Sequence, residues 1–157
     1  MKNHIKIVTF LFLFQSLIMY GQENTIIKTE TNIPILVELA FQSKFPKIDP
    51  VWFSQFQGRY DNKLVYEARF MFDNRYSAAI FDREANLKAF VVTVETSEIP
   101  QKVIDYMKNK YPYQLVSEAV MVSRDKNSTF ELGIYINNRF TIVVFDKDGN
   151  FIKTTLG

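Results

Sequence analysis

The sequence predicts an α+β fold of two tandem helix-plus-four-strand antiparallel repeats, with the helices packed on one sheet face. Three observations carry this expectation. The stretch IPILVELAFQSKFP at 33–46 returns as IPQKVIDYMKNKYP at 99–112. A second match, NRYSAAIFDREANL at 74–87, returns as NRFTIVVFDKDGNF at 138–151. Around these matches, apolar residues alternate with the period of two that marks strands. Two separated matches in the same order argue for an internal duplication. The expected organisation is a leader at 1–21, a linker at 22–32, a first repeat at 33–98 and a second at 99–157, the repeats forming one globular unit.

The leader comes first. MKNHIK carries two lysines and precedes the apolar run IVTFLFLFQSLIMYG. Counted generously from Ile5 to Tyr20, the run is 16 residues, short of the roughly 20 that span a bilayer. A basic start, a short apolar core and a small residue before a polar stretch describe a secretory signal peptide. Cleavage is expected after Gly21, although Met19 is bulky for such a site, and an uncleaved anchor is the alternative. The chain has no cysteine, which excludes a lipoprotein anchor. The expected location is the periplasm or beyond the cell, with no membrane span after cleavage.

In each repeat a helix follows. Pro34 and Pro100 suit a first helical turn, where a missing N–H costs nothing. Pro46 and Pro112 disfavour helical geometry in the residue before them. Between these prolines Val37, Ala40, Phe41 and Phe45 fall at helical spacing, as do Val103, Tyr106, Met107 and Tyr111. Each copy is a helix of about three turns with one apolar stripe.

Strands are expected at 51–57, 64–72, 76–82 and 87–95, then at 115–123, 129–136, 139–146 and 151–156. With DNR (73–75) as a three-residue loop, Phe72, Phe70 and Ala68 face Tyr76, Ala78 and Ile80. With NNR (137–139), Ile136, Ile134 and Leu132 face Phe140, Ile142 and Val144. Both copies then present a continuous apolar face to the core, and Asn suits the positive-φ positions of such turns. A unit of about 60 residues has a marginal core, so the copies are expected to pack together, with their sheets joined edge to edge.

Composition excludes several functions. Loss of the leader removes His4, Lys2 and Lys6 and leaves 17 basic against 17 acidic residues. Such a chain has no strong field for nucleic acid or an anionic membrane. Without Cys or His it lacks thiol nucleophiles, Ser–His and Cys–His pairs, and metal sites built on imidazole or thiolate. No catalytic residue, cofactor or metal is expected.

Two motifs invite chemistry. DKDGN at 146–150 matches the opening of a calcium loop, but its sixth position is Phe151 and its twelfth is Gly157 instead of the required glycine and glutamate. A hairpin turn is the expected reading. Glu67 and Arg69 share a strand face and read as a solvated pair. The outer sheet face in the register above holds Met71, Phe81, Gly133, Tyr135, Val143 and Phe145 among Glu67, Arg69 and Glu131. Such a mixed aromatic surface marks a binding site when exposed. Trp52 joins it if it points outward. The candidate partner-binding residues are Trp52, Phe81, Tyr135 and Phe145.

With its leader, its P…FP helix, Trp52 soon after it and the FD strand end before a turn, the chain resembles the PepSY-like, β-lactamase-inhibitor-like (BLIP-like) family of exported bacterial proteins. The resemblance covers 33–157. Members usually carry glycine in the turn after FD; here the second copy has Gly149, the first has Ala85, and the second lacks the tryptophan. The resemblance implies a periplasmic α+β fold of tandem helix-plus-four-strand units whose open, aromatic-rich sheet face grips a target. It does not imply inhibition of a β-lactamase, since fold is not function.

The expected function is a non-catalytic, exported protein-binding module, in its sharpest form an inhibitor of an exported hydrolase or peptidase, whose partner is another exported protein. The alternative is a small-ligand carrier or sensor with a pocket between helices and sheet.

Overall fold

The computed structural model describes residues 28–29, 32–57 and 63–157. The expected leader, most of the linker and most of the GRYDNK loop lie outside the described residues. The elements are β1 (Lys28–Thr29), α1 (Ile35–Lys44), β2 (Val51–Gln57), β3 (Lys63–Phe72), β4 (Arg75–Phe81), β5 (Leu87–Thr93), α2 (Gln101–Lys110), β6 (Val116–Arg124), β7 (Asn127–Ile136), β8 (Arg139–Asp146) and β9 (Phe151–Leu156). The nine strands form one sheet in chain order, and every neighbouring pair is antiparallel. The segment expected as linker thus contributes β1, a short strand on the outer side of β2. Among the described residues no helix is long and apolar enough to cross a membrane.

Proline sets both helix starts, from the capping position just before the first turn instead of within it. Pro34 and Pro100 are the capping residues, extended at ψ 132° and 137°. Their carbonyls accept the N–H groups of Val37 (2.8 Å) and Val103 (2.9 Å). At the other end Phe45 and Tyr111, each followed by proline, leave helical geometry at φ −128° and −131°, as the steric clash with a following proline ring demands.

The helical stripes fall where the spacing puts them. Val37, Phe41 and Phe45 pack on Tyr66, Ala68 and Phe70 of β3 and on Ala79 and Phe81 of β4. Val103 and Met107 pack on Phe130, Leu132 and Ile134 of β7 and on Val143 and Phe145 of β8. Strand alternation and register put all these sheet residues on one face, so both helices cover the same side. On the other side, at the β5–β6 seam, lies a third apolar cluster of Ala89, Val120 and Val122 with Ile80 and Val91.

The hairpin register differs from the expected one by a single residue. Both turns hold two residues, not three. Asp73 and Asn74 have φ 47° and 62°, and Asn137 and Asn138 have φ 49° and 62°, the left-handed pair of a type I′ hairpin turn, whose twist matches the flanking strands. Phe72 therefore pairs with Arg75 and Met71 with Tyr76; Ile136 pairs with Arg139 and Tyr135 with Phe140. A one-residue slip turns a strand over, and β4 and β8 are both reversed relative to the expectation.

Three candidate contact residues move with that reversal or prove to face inward. Phe81 and Phe145 are 0% exposed beneath the helices, as is Val143. Trp52 lies opposite Ala68 on the helix side, its ring 5.4 Å from that of Phe41. All three belong to the core. Tyr135 alone of the four is on the open face. The space between α1 and the sheet, where a ligand carrier would keep its pocket, is filled by the rings of Phe41, Phe45, Phe70 and Phe81.

Candidate functional site

The sheet side away from the helices is built from the alternate residues of β2 to β9, and its character changes across the sheet. Two apolar pairs stand beside the two type I′ turns. Met71 and Tyr76 face each other across β3 and β4 and are 46% and 47% exposed. Tyr135, 43% exposed, faces Phe140 across β7 and β8, with ring centroids 5.3 Å apart. The pairs occupy matching places in the two halves, since 135 follows 71 by 64 residues, as 140 follows 76. Sequence reasoning named Tyr135 and Met71 for this face. It missed Tyr76 and Phe140 because the assumed three-residue turn sent them inward. The signal that could have found them was the pair of consecutive Asx residues at each turn.

A charged band crosses the same face. Arg69 donates to both oxygens of Glu67, at 2.8 and 3.2 Å, and its guanidinium lies 4.2 Å from the Phe53 ring centre. Glu131 occupies the position corresponding to Glu67. Its carboxylate accepts from Arg124 at 2.9 Å and from the Thr129 hydroxyl at 3.2 Å. The residue corresponding to Arg69 is Gly133.

Beside Gly133 stands Glu118, and its setting is unusual. The β6–β7 register skips Ser117, a β-bulge of the kind that re-aims a side chain. The Ser117 hydroxyl donates to the Gly133 carbonyl at 3.0 Å and pins the bulge. Among the described residues no hydrogen bond or ion pair reaches the Glu118 carboxylate. Burial pushes its pKa up; Arg69 across the sheet draws it down, while Glu131 and Glu67 push it further up. A Cβ on Gly133 would meet Phe140 Cε2 at 2.7 Å and Glu118 Cβ at 3.3 Å. Glycine here lets the Phe140 ring lie across β7, next to Glu118.

The calcium-like stretch is a turn. Asp146 Oδ1 accepts the N–H groups of Asp148 (2.9 Å) and Asn150 (2.8 Å), and Oδ2 accepts the Asn150 amide at 2.8 Å. Asp82 and Asn86 repeat the arrangement, at 2.8 and 3.0 Å. Gly149 and Ala85 take the left-handed position, φ 80° and 63°, so the alanine bears a strain that its glycine counterpart avoids.

No protein-family model and no curated protein matches the sequence. Solved structures do match in fold. A DUF2874 family protein from Bacteroides uniformis superposes with TM-score 0.64 at 19% identity, covering 78% of this chain and 88% of that one. A protein of Bacteroides eggerthii, named provisionally as periplasmic, gives TM-score 0.65 at 14% identity over 80% and 89% of the two chains. A BLIP-like protein from Bacteroides fragilis gives 0.61 at 15% identity over 81% and 88%. The expected resemblance holds at the level of fold: this chain folds as DUF2874 and BLIP-like proteins do.

Proposed function

We propose that the protein is an exported, non-catalytic protein-binding module that engages another exported protein through the open face of its sheet, in the manner of an inhibitor of a hydrolase or peptidase. The observation that carries this reading is the two apolar pairs, exposed Met71–Tyr76 and exposed Tyr135 with half-buried Phe140, on a face that neither helix covers. Surfaces that mix exposed aromatics and methionine with paired charges are those that partners bury. The fold shared with a BLIP-like protein supports it, and the provisional periplasmic name of another neighbour supports export. The same reading takes the halves as tandem copies of one helix-plus-four-strand unit, each contributing one pair.

The test is capture from periplasmic extract by the protein and by its Met71→Ala/Tyr135→Ala variant, read by mass spectrometry. These side chains are exposed, so the variant should fold. A single protein retained by the wild type and lost by the variant is the expected result. Equal capture by both would remove the open face from consideration and leave the outer side of α1, where Ile35, Leu36 and Leu39 are exposed, as the competing surface.

A further inference from the structure

Of the carboxylates in the charged band, Glu67 has Arg69 and Glu131 has Arg124. The first half places an arginine two residues beyond its glutamate; the second half has Gly133 there. Glu118 stands beside that gap, half-buried on a bulge that the Ser117 hydroxyl holds in place. Among the described residues it has no hydrogen bond or ion pair, and Arg69, which attracts it across the sheet, is bound to Glu67. Next to Glu118 lies the Phe140 ring, admitted by the missing Gly133 side chain, and beyond that Tyr135. A carboxylate with an aromatic pair to one side suits an organic cation, which gains a charge-assisted hydrogen bond from the acid and cation–π attraction from the rings.

We propose that Glu118, Phe140 and Tyr135 form a subsite for a lysine or arginine side chain of the partner, presented by an extended segment lying on the open face. This rests on the reading that the open face is the binding surface and adds the chemistry of what it binds. Charge complementarity selects the occupant. An acidic or wholly apolar segment would cover half-buried Glu118 without giving it an ion pair, a cost that discriminates against it. Apolar neighbours of the basic residue would rest on the half-buried Val91 and Ile80 of the seam cluster.

The experiment is selection of a displayed library of random twelve-residue peptides on the immobilised protein, produced from the whole chain. The best peptide is then synthesised and titrated by fluorescence anisotropy. A consensus with a Lys or Arg beside apolar residues is expected. Replacing that basic residue by norleucine, or Glu118 by Gln, should each weaken binding about tenfold or more, and combining the two should add little. Phe140→Leu should weaken it severalfold while leaving the circular dichroism spectrum native. A consensus without a basic residue, or binding indifferent to Glu118→Gln, overturns the subsite, as does failure to enrich any peptide. If such peptides still lose binding in Met71→Ala/Tyr135→Ala, the open face stands and only the cation subsite falls. If they ignore that variant too, both fall.

Discussion

Single residues set the local chemistry, and two carboxylates show it with opposite signs. At Asp146, donation from the Asn150 side chain and backbone holds the carboxyl below its usual range. The folded pKa then lies below the unfolded one. The turn's contribution is complete above the ordinary aspartate value of about 3.9 and is lost as pH falls through the depressed folded value. Asp146→Ala should lower the melting temperature at pH 6, with the gap to wild type closing near pH 2. Glu118 runs the other way. Burial raises its pKa, so the unfolded chain releases its proton first and stability declines as pH rises from the ordinary glutamate value of about 4.3 through the raised folded one. Glu118→Gln should therefore raise the melting temperature at pH 7 and not at pH 3.5. Equal melting at pH 7 would mean that the carboxylate pays no desolvation cost in the folded protein. A side chain that stabilises less than its neutral isostere fits a binding role better than a structural one.

Helices and hairpins obey the pattern to different degrees. The helical stripes were readable because Val37, Phe41 and Phe45 recur at one spacing and the prolines bracket them. Strand positions were readable too, to within about two residues. The register was not, and β4 shows why. Its sequence RYSAAIF is apolar at both parities, so Ala78 and Ile80 compete with Ala79 and Phe81 for the core. The left-handed geometry of Asp73 and Asn74 decides between them. That choice, repeated at Asn137 and Asn138 for β8, also moved Phe81 and Phe145 from the surface reading to the core, and it hid Tyr76 and Phe140. Phe41 touches the rings of Phe45, Trp52, Phe70 and Phe81, so Phe41→Ala should cost about 3–5 kcal/mol in urea unfolding. Tyr135→Ala should cost no more than about 0.5 kcal/mol. Comparable losses would contradict the assignment of faces. At the turns, Asn138→Val places a β-branched residue at φ 62° and should cost about 1–2 kcal/mol.

The whole sheet is joined at one seam. Phe90 to Thr93 of β5 pair with Val120 to Ser123 of β6, and the Ala89–Val120–Val122 cluster packs over that junction. Arg75, at the start of β4, holds Glu98 through two contacts of 2.8 Å, tying the first half to the connection that leads into α2. These links should make the halves unfold as one. Trp52 is the only tryptophan and reports on the first half, whereas far-ultraviolet circular dichroism reports on both. The two urea transitions should coincide; an offset between them would show that each half melts by itself.

The strict chain order of the strands has a consequence for how the molecule comes into being. No strand waits for a distant partner: each hydrogen-bonds to the one just made, and loop-closure entropy stays small at every step. A chain emerging from its N-terminal end can assemble as a growing ribbon, with α1 at hand when β3 and β4 arrive to bury Phe41, and α2 when β7 and β8 arrive to bury Val103. At each stage one fresh strand edge is open to the wrong neighbour, briefly within each run of hairpins and longest after β5, where α2 must be made before β6 closes it.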